Sequence, residues 1–314
     1  MFYLLGINAL LSYRENRWYI LISTLSFILS AYSYNSFRII TSLTILILII
    51  FEIKNIKAVL GTIVLPILIS TMLLCFSIIP IYRLYTLDSG ISRFQAVGIE
   101  NRWSFLKNYI SHFSPDFLFS GDKNLRSQQK GFGQIYFPEL ILLILGLLYI
   151  SSNQKFVSLP LALLLLGPIP AAITKESPHG LRAISMVPFM AIISALGLVS
   201  IKSYFSRKYF VELGVVAILL LFFLNYFINF ITVYPTQSSE VWQYGYKKIF
   251  TDPKLQLETK DRILISDRDG QPYIFALFYL KYDPENFRAE VVRNSIDQWG
   301  FSAVKSFGRF EFGE

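Results

Sequence analysis

Residues 161 to 200 read LALLLLGPIPAAITKESPHGLRAISMVPFMAIISALGLVS, two apolar runs joined by a polar linker. The linker, Ile173 to Ser185, contains four ionisable residues: Lys175, Glu176, His179 and Arg182. It is too short to be a domain, so these groups are expected at the boundary of a membrane. Ionisable groups held there cost free energy unless they have partners, which makes the linker a candidate functional site. Three of the four can carry positive charge, so a phosphate is the natural ligand.

The composition on either side of the linker favours a membrane protein. Of the 314 residues, 54% are apolar and only 16% are charged, with a mean hydropathy of +0.48. These values exclude an ordinary soluble domain. The net charge of +8 is unevenly placed, because residues 1–232 hold 18 Lys and Arg against 9 acids and residues 233–314 hold 11 against 12. A basic membrane part favours anionic lipids or lipid-linked substrates as partners and argues against nucleic acid.

Eight apolar runs predict spans, judged against the roughly 20 residues that cross a bilayer. They cover residues 1–12, 18–34, 37–52, 57–82, 138–151, 155–173, 183–201 and 211–232. The first run is partial and has neither a basic segment before it nor a cleavage site after it, so it is not a signal peptide. We interpret it as the end of a spanning helix that begins upstream. The single Cys75 excludes an intrachain disulfide and a cysteine-based metal site.

The loops between these runs predict the orientation, because cytoplasmic loops carry an excess of Lys and Arg. One alternate set has eight basic residues against three acids: Arg14, Arg17, Lys54, Lys57, Lys155, Lys202, Arg207 and Lys208 against Glu15, Glu52 and Glu212. We therefore place this set in the cytoplasm. The other set, which includes the loop 83–137, the linker and everything after residue 232, is expected outside the cytoplasmic (inner) membrane.

Two extracytoplasmic parts have recognisable patterns. Residues 100–113 have one apolar face at helical spacing, which predicts an amphipathic helix on the membrane surface. Residues 233–314 are mixed polar and predict a small α/β module with a helix at 240–250 capped by Ser238 or Ser239, a strand at 262–266, a helix from Pro272, and strands at 288–293 and 303–312. The fold class is thus an α-helical polytopic membrane protein of about eight spans, residues 1–232, with a C-terminal α/β extracytoplasmic module.

Further candidate residues lie on the same outer side. Arg38 follows an aromatic, polar patch that includes Tyr34 and could contact the same phosphate as the linker, or could anchor an aromatic belt. The outer loop carries His112, Asp116, Asp122, Lys123 and Arg126, whose carboxylates could act as a general base or bind sugar hydroxyls, or could be solvated loop charges. The linker charges likewise could snorkel to lipid headgroups. The sequence has no cluster with metal-ligand spacing, no nucleotide-binding loop and no clear Ser/His/Asp set.

The order of these motifs resembles a known family. The motifs are residues 32–38 (YSYNSFR), residues 112–119 (HFSPDFLF), the loop 121–126 followed by Gly131 and Gly133, residues 168–173 (PIPAAI) and residues 177–183 (SPHGLRA). Together they resemble the bacterial branch of the GT-C membrane glycosyltransferases, relatives of the dolichyl-phosphate-mannose protein mannosyltransferases and the aminoarabinose transferase. The likeness covers most of residues 18–200.

The resemblance implies inverting transfer of a sugar from a polyprenyl-phosphate carrier to an extracytoplasmic acceptor, with no metal or other cofactor. It implies that Arg38, Lys175, His179 and Arg182 bind the carrier phosphate, and that Tyr34, His112, Asn124 and Arg126 contact the acceptor or the sugar. In that family the general base is an acidic residue in the first outer loop, which is absent here. The chain is therefore expected to be the C-terminal portion of a longer enzyme and to be catalytically incomplete by itself, or else a short, non-catalytic relative. Asp116 and Asp122 are the only outer-loop carboxylates that could substitute for the base, and their spacing places neither beside the phosphate site.

Three other classes stay open, one of which is a purely structural membrane protein. An O-antigen ligase or polymerase also uses polyprenyl carriers with outer Arg and His residues, but is not expected to end in an α/β module. A transporter or flippase would place its ionisable residues near the middle of the membrane on broken helices, whereas here they cluster at one boundary.

Overall fold

The computed structural model of the chain describes residues 1–86, 98–99, 101–152, 158–202, 208–268, 270–296 and 302–313. The described part is mostly helical and includes one small mixed sheet. The described residues fall into two compact units, one up to Tyr226 and the other from Phe227 onward. The division falls within a helix, slightly before the change in composition at residue 233.

The helices of the first unit follow the predicted apolar runs closely. They are α1 (Phe2–Leu11), α2 (Tyr19–Ser33), α3 (Asn35–Thr86), α4 (Arg102–Ser111), α5 (Pro115–Ser120), α6 (Glu139–Ser152), α7 (Ser158–Leu166), α8 (Ile169–Ala172), α9 (Met186–Lys202) and α10 (Lys208–Thr232). The last of these, α10, continues into the second unit. The predicted amphipathic helix is α4, where Trp103, Leu106 and Ile110 are exposed on one face. Glu100, Lys155 and Arg207, which figured in the predictions, lie outside the described residues.

Helix α3 joins two runs that the sequence separated into distinct spans. A straight α-helix rises 1.5 Å per residue, so Asn35 and Ser77 would lie about 63 Å apart along it. Yet the Tyr32 hydroxyl, three residues before Asn35, donates a 2.5 Å hydrogen bond to the Ser77 carbonyl. Helix α3 must therefore fold back on itself. Its two limbs line a common cavity with Leu48 on one side and Leu74 on the other, as two antiparallel segments would.

Two of the described helices are long and apolar enough to cross a membrane, within Asn35–Arg83 and Tyr209–Thr232. The remaining apolar helices have 10–17 residues, fewer than the roughly 20 that a perpendicular span needs. Membrane character is thus supported, and the count of about eight spans stays a prediction.

Helices α6 and α9 pack together through two glycines. A Cβ at Gly146 would lie 1.9 Å from the Ile193 carbonyl oxygen, and one at Gly197 would lie 1.9 Å from the Leu142 carbonyl oxygen. Only glycine permits this approach, and small residues at such crossings are typical of helices packed in membranes. The contact fixes α9, and with it the end of the polar linker.

The second unit contains a four-stranded mixed sheet in the order β1-β4-β3-β2. Its strands are β1 (Ile263–Ile265), β2 (Val292–Ile296), β3 (Ser302–Phe307) and β4 (Phe310–Phe312). Strand β4 runs parallel to β1 and antiparallel to β3. The helices after α10 are α11 (Tyr234–Gln237), α12 (Tyr244–Thr251), α13 (Pro272–Tyr279) and α14 (Pro284–Glu290). The predicted strand at 262–266 and the helix from Pro272 are confirmed.

Three details of that module differ from the sequence prediction. Helix α12 begins at Tyr244, and the Ser238 and Ser239 hydroxyls donate to the carbonyls of the preceding turn and do not cap it. The predicted strand at 288–293 is wrong at its beginning, because residues 284–290 form a helix and strand β2 begins at Val292. The Asp283 carboxylate caps this helix by accepting from the Glu285 and Asn286 amides. The predicted strand 303–312 is a hairpin, since Gly308 takes a positive φ of 49° and reverses the chain.

Arg14 and Arg17, from one predicted cytoplasmic loop, contact Glu52 and the Thr62 carbonyl, so this loop lies beside the end of the run 37–52 and the beginning of the run 57–82. The side of the membrane on which they lie stays a prediction, and cysteine labelling tests it. We expect an impermeant maleimide to label Ser177→Cys and Glu240→Cys in intact cells, in a Cys75→Ser background. Lys57→Cys serves as the matched internal site and should react only after lysis. The reverse pattern would contradict the orientation.

Candidate functional site

The beginning of the polar linker is held by helix α4. The Asn108 side-chain amide donates to the Thr174 carbonyl at 2.9 Å and to the Ala172 carbonyl at 3.3 Å. Gly98 pairs with Thr174 as an isolated antiparallel bridge. These contacts satisfy backbone carbonyls where α8 ends, so α4 fixes the place at which the linker leaves the helix.

His112 extends this support to the middle of the linker. Its ring is fully buried, with Nδ1 2.8 Å from the Asn108 carbonyl oxygen, while Nε2 accepts from the His179 backbone N–H at 3.2 Å. A carbonyl can only accept, so Nδ1 carries the proton and the ring is neutral. Burial, the largest influence, lowers the pKa of His112 and favours this neutral form. Both nitrogens are thus engaged in positioning the linker.

The outer loop contacts the linker through Asp122, whose side chain is only 2% exposed. Its Oδ2 accepts from the Gly180 N–H at 2.7 Å, and its Oδ1 accepts from the Asn124 N–H at 2.9 Å. The Ser127 hydroxyl donates to the same carboxylate at 3.0 Å. These backbone and hydroxyl donors hold the Asp122 side chain between the outer loop and the linker.

Two glutamines complete this contact. Gln128 Oε1 accepts from the Asp122 N–H at 3.1 Å and from the Gln134 amide at 2.9 Å. A Cβ on Gly180 would lie 3.1 to 3.3 Å from polar atoms of all three side chains, so glycine lets the loop close on the linker. We call Asp122, Gln128, Gln134 and Gly180 the loop–linker junction.

His179 lies buried between the junction and the linker charges. Its Nδ1 is 3.8 Å from Asp122 Oδ2 and has no hydrogen-bond partner among the described residues. Burial lowers the pKa of the imidazole, and the Arg182 charge lowers it further, while Asp122 and Glu176 oppose the shift. At neutral pH the ring is therefore mainly neutral, and a nearby anion would favour its protonation.

Arg182 is held within the linker itself. One guanidinium nitrogen donates to the Thr174 hydroxyl at 2.7 Å, and the other forms a 3.1 Å ion pair with Glu176. The Glu176 side chain is 71% exposed, and exposed ion pairs contribute at most about 1 kcal/mol. Arg182 can therefore exchange Glu176 for another anion at small cost.

A cleft of about 450 Å³ brings the linker and the outer loop together. We call it the charged cleft, because it is lined by three carboxylates, two lysines and a histidine: Asp116, Asp122, Glu176, Lys123, Lys175 and His179. The sequence alone placed these residues on one outer surface. The structure places the two loop carboxylates beside the linker cations.

No family model, no curated protein and no solved structure matches the chain. The resemblance to the GT-C glycosyltransferases therefore stays an expectation from the sequence motifs.

The remaining predicted contact residues differ in whether they line the charged cleft. Asn124 lines it, and Arg126 is exposed on the following turn, where its N–H donates to Asn124 Oδ1. Tyr34 and Arg38 lie at the junction of α2 and α3, where Arg38 Nε donates to the Ala31 carbonyl. Neither is among the residues that line the charged cleft.

The structure distinguishes the two candidate bases. A general base needs an oxygen within reach of the proton that it removes. Asp122 is buried with both oxygens accepting hydrogen bonds, so it serves the loop–linker junction. Asp116 is exposed in the first turn of α5 and lines the charged cleft, which suits it to contact a ligand.

Sequence reasoning missed the residues that hold the site together. Asn108, Ser127, Gln128 and Gln134 belong to no motif, and their partners are set by tertiary contacts such as that between Asn108 and Thr174. The only local signal was Gly180, whose lack of a side chain allows the junction. Among the described residues, no group of three His, Cys, Asp or Glu side chains could hold a metal ion.

Proposed function

We propose that the chain transfers a sugar from a polyprenyl-phosphate carrier to an acceptor outside the cytoplasmic membrane, with the charged cleft as the phosphate site. The observation that carries the proposal is the position of Lys175 and His179 in one cleft with Asp116. Displacement of a phosphate from a sugar needs cations at the leaving oxygens and a base at the acceptor hydroxyl. This cleft contains both kinds of group.

The linker suits a phosphate that arrives in place of Glu176. Arg182 does not line the cleft, but its ion-pair partner Glu176 does. The guanidinium can engage two phosphate oxygens, and its exposed ion pair with Glu176 is easily exchanged. Lys175 is exposed at the rim of the cleft, and His179 can gain a proton beside the anion. Arg38 belongs to the proposed phosphate-binding residues only if the lipid carrier extends to the connection between α2 and α3.

The proposed step is an inverting displacement. An acceptor oxygen attacks the anomeric carbon, the bond between that carbon and the phosphate oxygen breaks, and the carrier phosphate leaves with the bonding electrons. Asp116 would take the proton of the acceptor hydroxyl, while Lys175, His179 and Arg182 stabilise the departing phosphate. We propose the eight-span arrangement and the extracytoplasmic position of the cleft together with this activity.

The experiment is a binding measurement on the purified chain in lipid nanodiscs with a polyprenyl-phosphate sugar. Loss of a charge-assisted hydrogen bond costs about 1.5 to 3 kcal/mol, so we expect Arg182→Ala to weaken binding about ten- to a hundredfold. Binding should also weaken as salt is raised.

The matched control is Arg268→Ala, which removes the same charge from the turn after β1 in the second unit. It should leave the affinity unchanged. Equal affinities of the wild type and both variants would refute the phosphate assignment. A chain that transports the lipid without ever forming a glycosidic product would favour a flippase.

A further inference from the structure

The chain directly after α10 carries a cluster of exposed aromatic and cationic side chains. Helix α10 is apolar enough to cross a membrane over Tyr209–Thr232, and no residue of its most apolar stretch is buried by other parts of the chain. A helix that is apolar on all sides and not covered by protein belongs in hydrocarbon. Because α10 ends at Thr232, the residues that follow it are expected where the hydrocarbon meets the lipid headgroups.

An aromatic series continues from α10 into these residues. Tyr234 stacks on Phe230 with ring centroids 5.4 Å apart and 16° between the ring planes. The Trp242 indole N–H donates to the Tyr234 hydroxyl at 3.2 Å, and the Trp242 side chain is still 57% exposed. Exposed indoles beside a spanning helix are typical of the aromatic belts at headgroup level, because the ring favours an apolar surrounding and its N–H a polar one.

Two lysines lie at the next ring along the chain. The ammonium nitrogens of Lys247 and Lys248 are 5.7 and 5.8 Å from the centroid of the exposed Tyr244 ring. In the described part of the chain, neither lysine forms an ion pair with a carboxylate. The other face of α12 carries Tyr246 and Phe250, which are buried in the core of the module. Helix α12 therefore turns its cationic face outward.

A cleft of about 470 Å³ lies beside this outward face. Small-molecule sites occupy about 300 to 1,000 Å³, so the cleft is large enough for a lipid headgroup. The described residues of its wall include one lysine, Lys248, and one carboxylate, Glu240. The ammonium group suits a phosphate oxygen, and a hydroxyl on the headgroup can donate to Glu240. With Lys247 nearby, two cations stand against one acid, which favours an anionic ligand.

We propose that Trp242, Tyr244, Lys247 and Lys248 form a surface that lies in the headgroup layer of the membrane and binds anionic phospholipids there. We call it the headgroup surface. Its rings suit the boundary with the hydrocarbon, and its ammonium groups attract lipid phosphates. The surface begins where α10 ends, so the membrane that holds α10 is the partner within reach. The proposal involves neither the charged cleft nor sugar transfer, and it goes beyond the function proposed above.

The test is quenching of Trp242 fluorescence by nitroxide-labelled lipids, with the full chain in nanodiscs. Trp18→Phe, Trp103→Phe and Trp299→Phe together leave Trp242 as the single indole. We expect a nitroxide on the headgroup to quench Trp242 strongly, and a nitroxide near the end of the acyl chain to quench it weakly. Aqueous acrylamide should quench it little. If the triple variant does not fold, the difference between the wild type and Trp242→Phe measures the same quantity.

The matched control moves the indole to another exposed position of the second unit. Lys260→Trp, in the single-indole chain with Trp242→Phe, places the ring beside Asp261 and Arg262, which are both exposed. Charged neighbours of this kind favour water. This indole should be quenched by acrylamide and by neither lipid nitroxide.

The lipid charge is tested with the double variant Lys247→Gln and Lys248→Gln. When phosphatidylglycerol replaces phosphatidylcholine, headgroup quenching of Trp242 should increase in the chain with both lysines, and added salt should reverse the increase. The double variant should show neither change. The equilibrium between quenched and unquenched indole in phosphatidylglycerol should shift about thirtyfold, which corresponds to about 2 kcal/mol for the two lysines.

Three results would overturn the proposal. Quenching of Trp242 by acrylamide and by neither nitroxide would leave this surface to a water-soluble partner. Strongest quenching by the acyl-chain nitroxide would place it inside the hydrocarbon. Equal quenching in both lipids would refute the anionic phospholipid. A chain that meets the expectations and yet transfers no sugar would keep the headgroup surface and refute only the proposed function.

Discussion

Replacement of Asp122 by leucine is expected to open the loop–linker junction and to weaken lipid-phosphate binding. The substitution leaves the partly buried Gly180 N–H without its carboxylate acceptor, whereas the exposed Asn124 N–H can bond to water. A buried donor left unsatisfied costs about 1 to 3 kcal/mol. Because about 1 to 2 kcal/mol already changes an equilibrium about 5- to 30-fold, the linker should open far more often although the spanning helices persist.

Hydrogen exchange followed by mass spectrometry measures this directly. Peptides that contain Gly180 should exchange much faster in Asp122→Leu, while peptides from α6 and α9 should not change. Asp122→Asn keeps one oxygen acceptor and should give an intermediate result. The matched control is Asp116→Asn on the same loop, where the side chain is exposed and stability should be unchanged. Equal protection of the linker in Asp122→Leu and in the wild type would mean that the junction contributes no stability.

The sequence could predict those elements whose cause is local. Apolar runs indicated the helices, and Pro272 indicated the beginning of α13, because each signal lies within the element that it specifies. The strand β1 was found for the same reason. The hairpin at Gly308 and the cap by Asp283 were also local, yet the pattern of the neighbouring residues favoured other readings.

The charged cleft shows where local reasoning ends. Lys175, His179 and Arg182 were recognisable because charge between two apolar runs needs a partner. The sequence could not identify Asp122 as a partner of the linker, because it lies 58 positions before Gly180. His112 was predicted to contact the ligand, and the structure shows it accepting from the His179 N–H. A sequence motif names the residue type, and only the packing decides which atoms it faces.

Asp116→Asn is expected to have the largest effect on sugar transfer. General-base catalysis contributes about 10² to 10⁴ in rate, and asparagine cannot take a proton from the acceptor hydroxyl. The same substitution removes one of the three carboxylates that line the charged cleft. It should therefore tighten binding of the anionic carrier while it lowers turnover, because repulsion between the carboxylate and the phosphate is lost.

Tighter binding together with slower transfer would identify Asp116 as the general base. A residue that merely bound the donor would lose affinity and rate together, and a residue that only supported the fold would lower the Tm. The measurement is single-turnover transfer from a polyprenyl-phosphate sugar, with the affinity for the carrier determined on the same preparation. Asp267→Asn, in the turn of the second unit, removes an equal charge far from the cleft in sequence and should change neither quantity. If Asp116→Asn transfers sugar at the wild-type rate, Asp116 is not the base, and the carboxylate that activates the acceptor must come from another part of the enzyme.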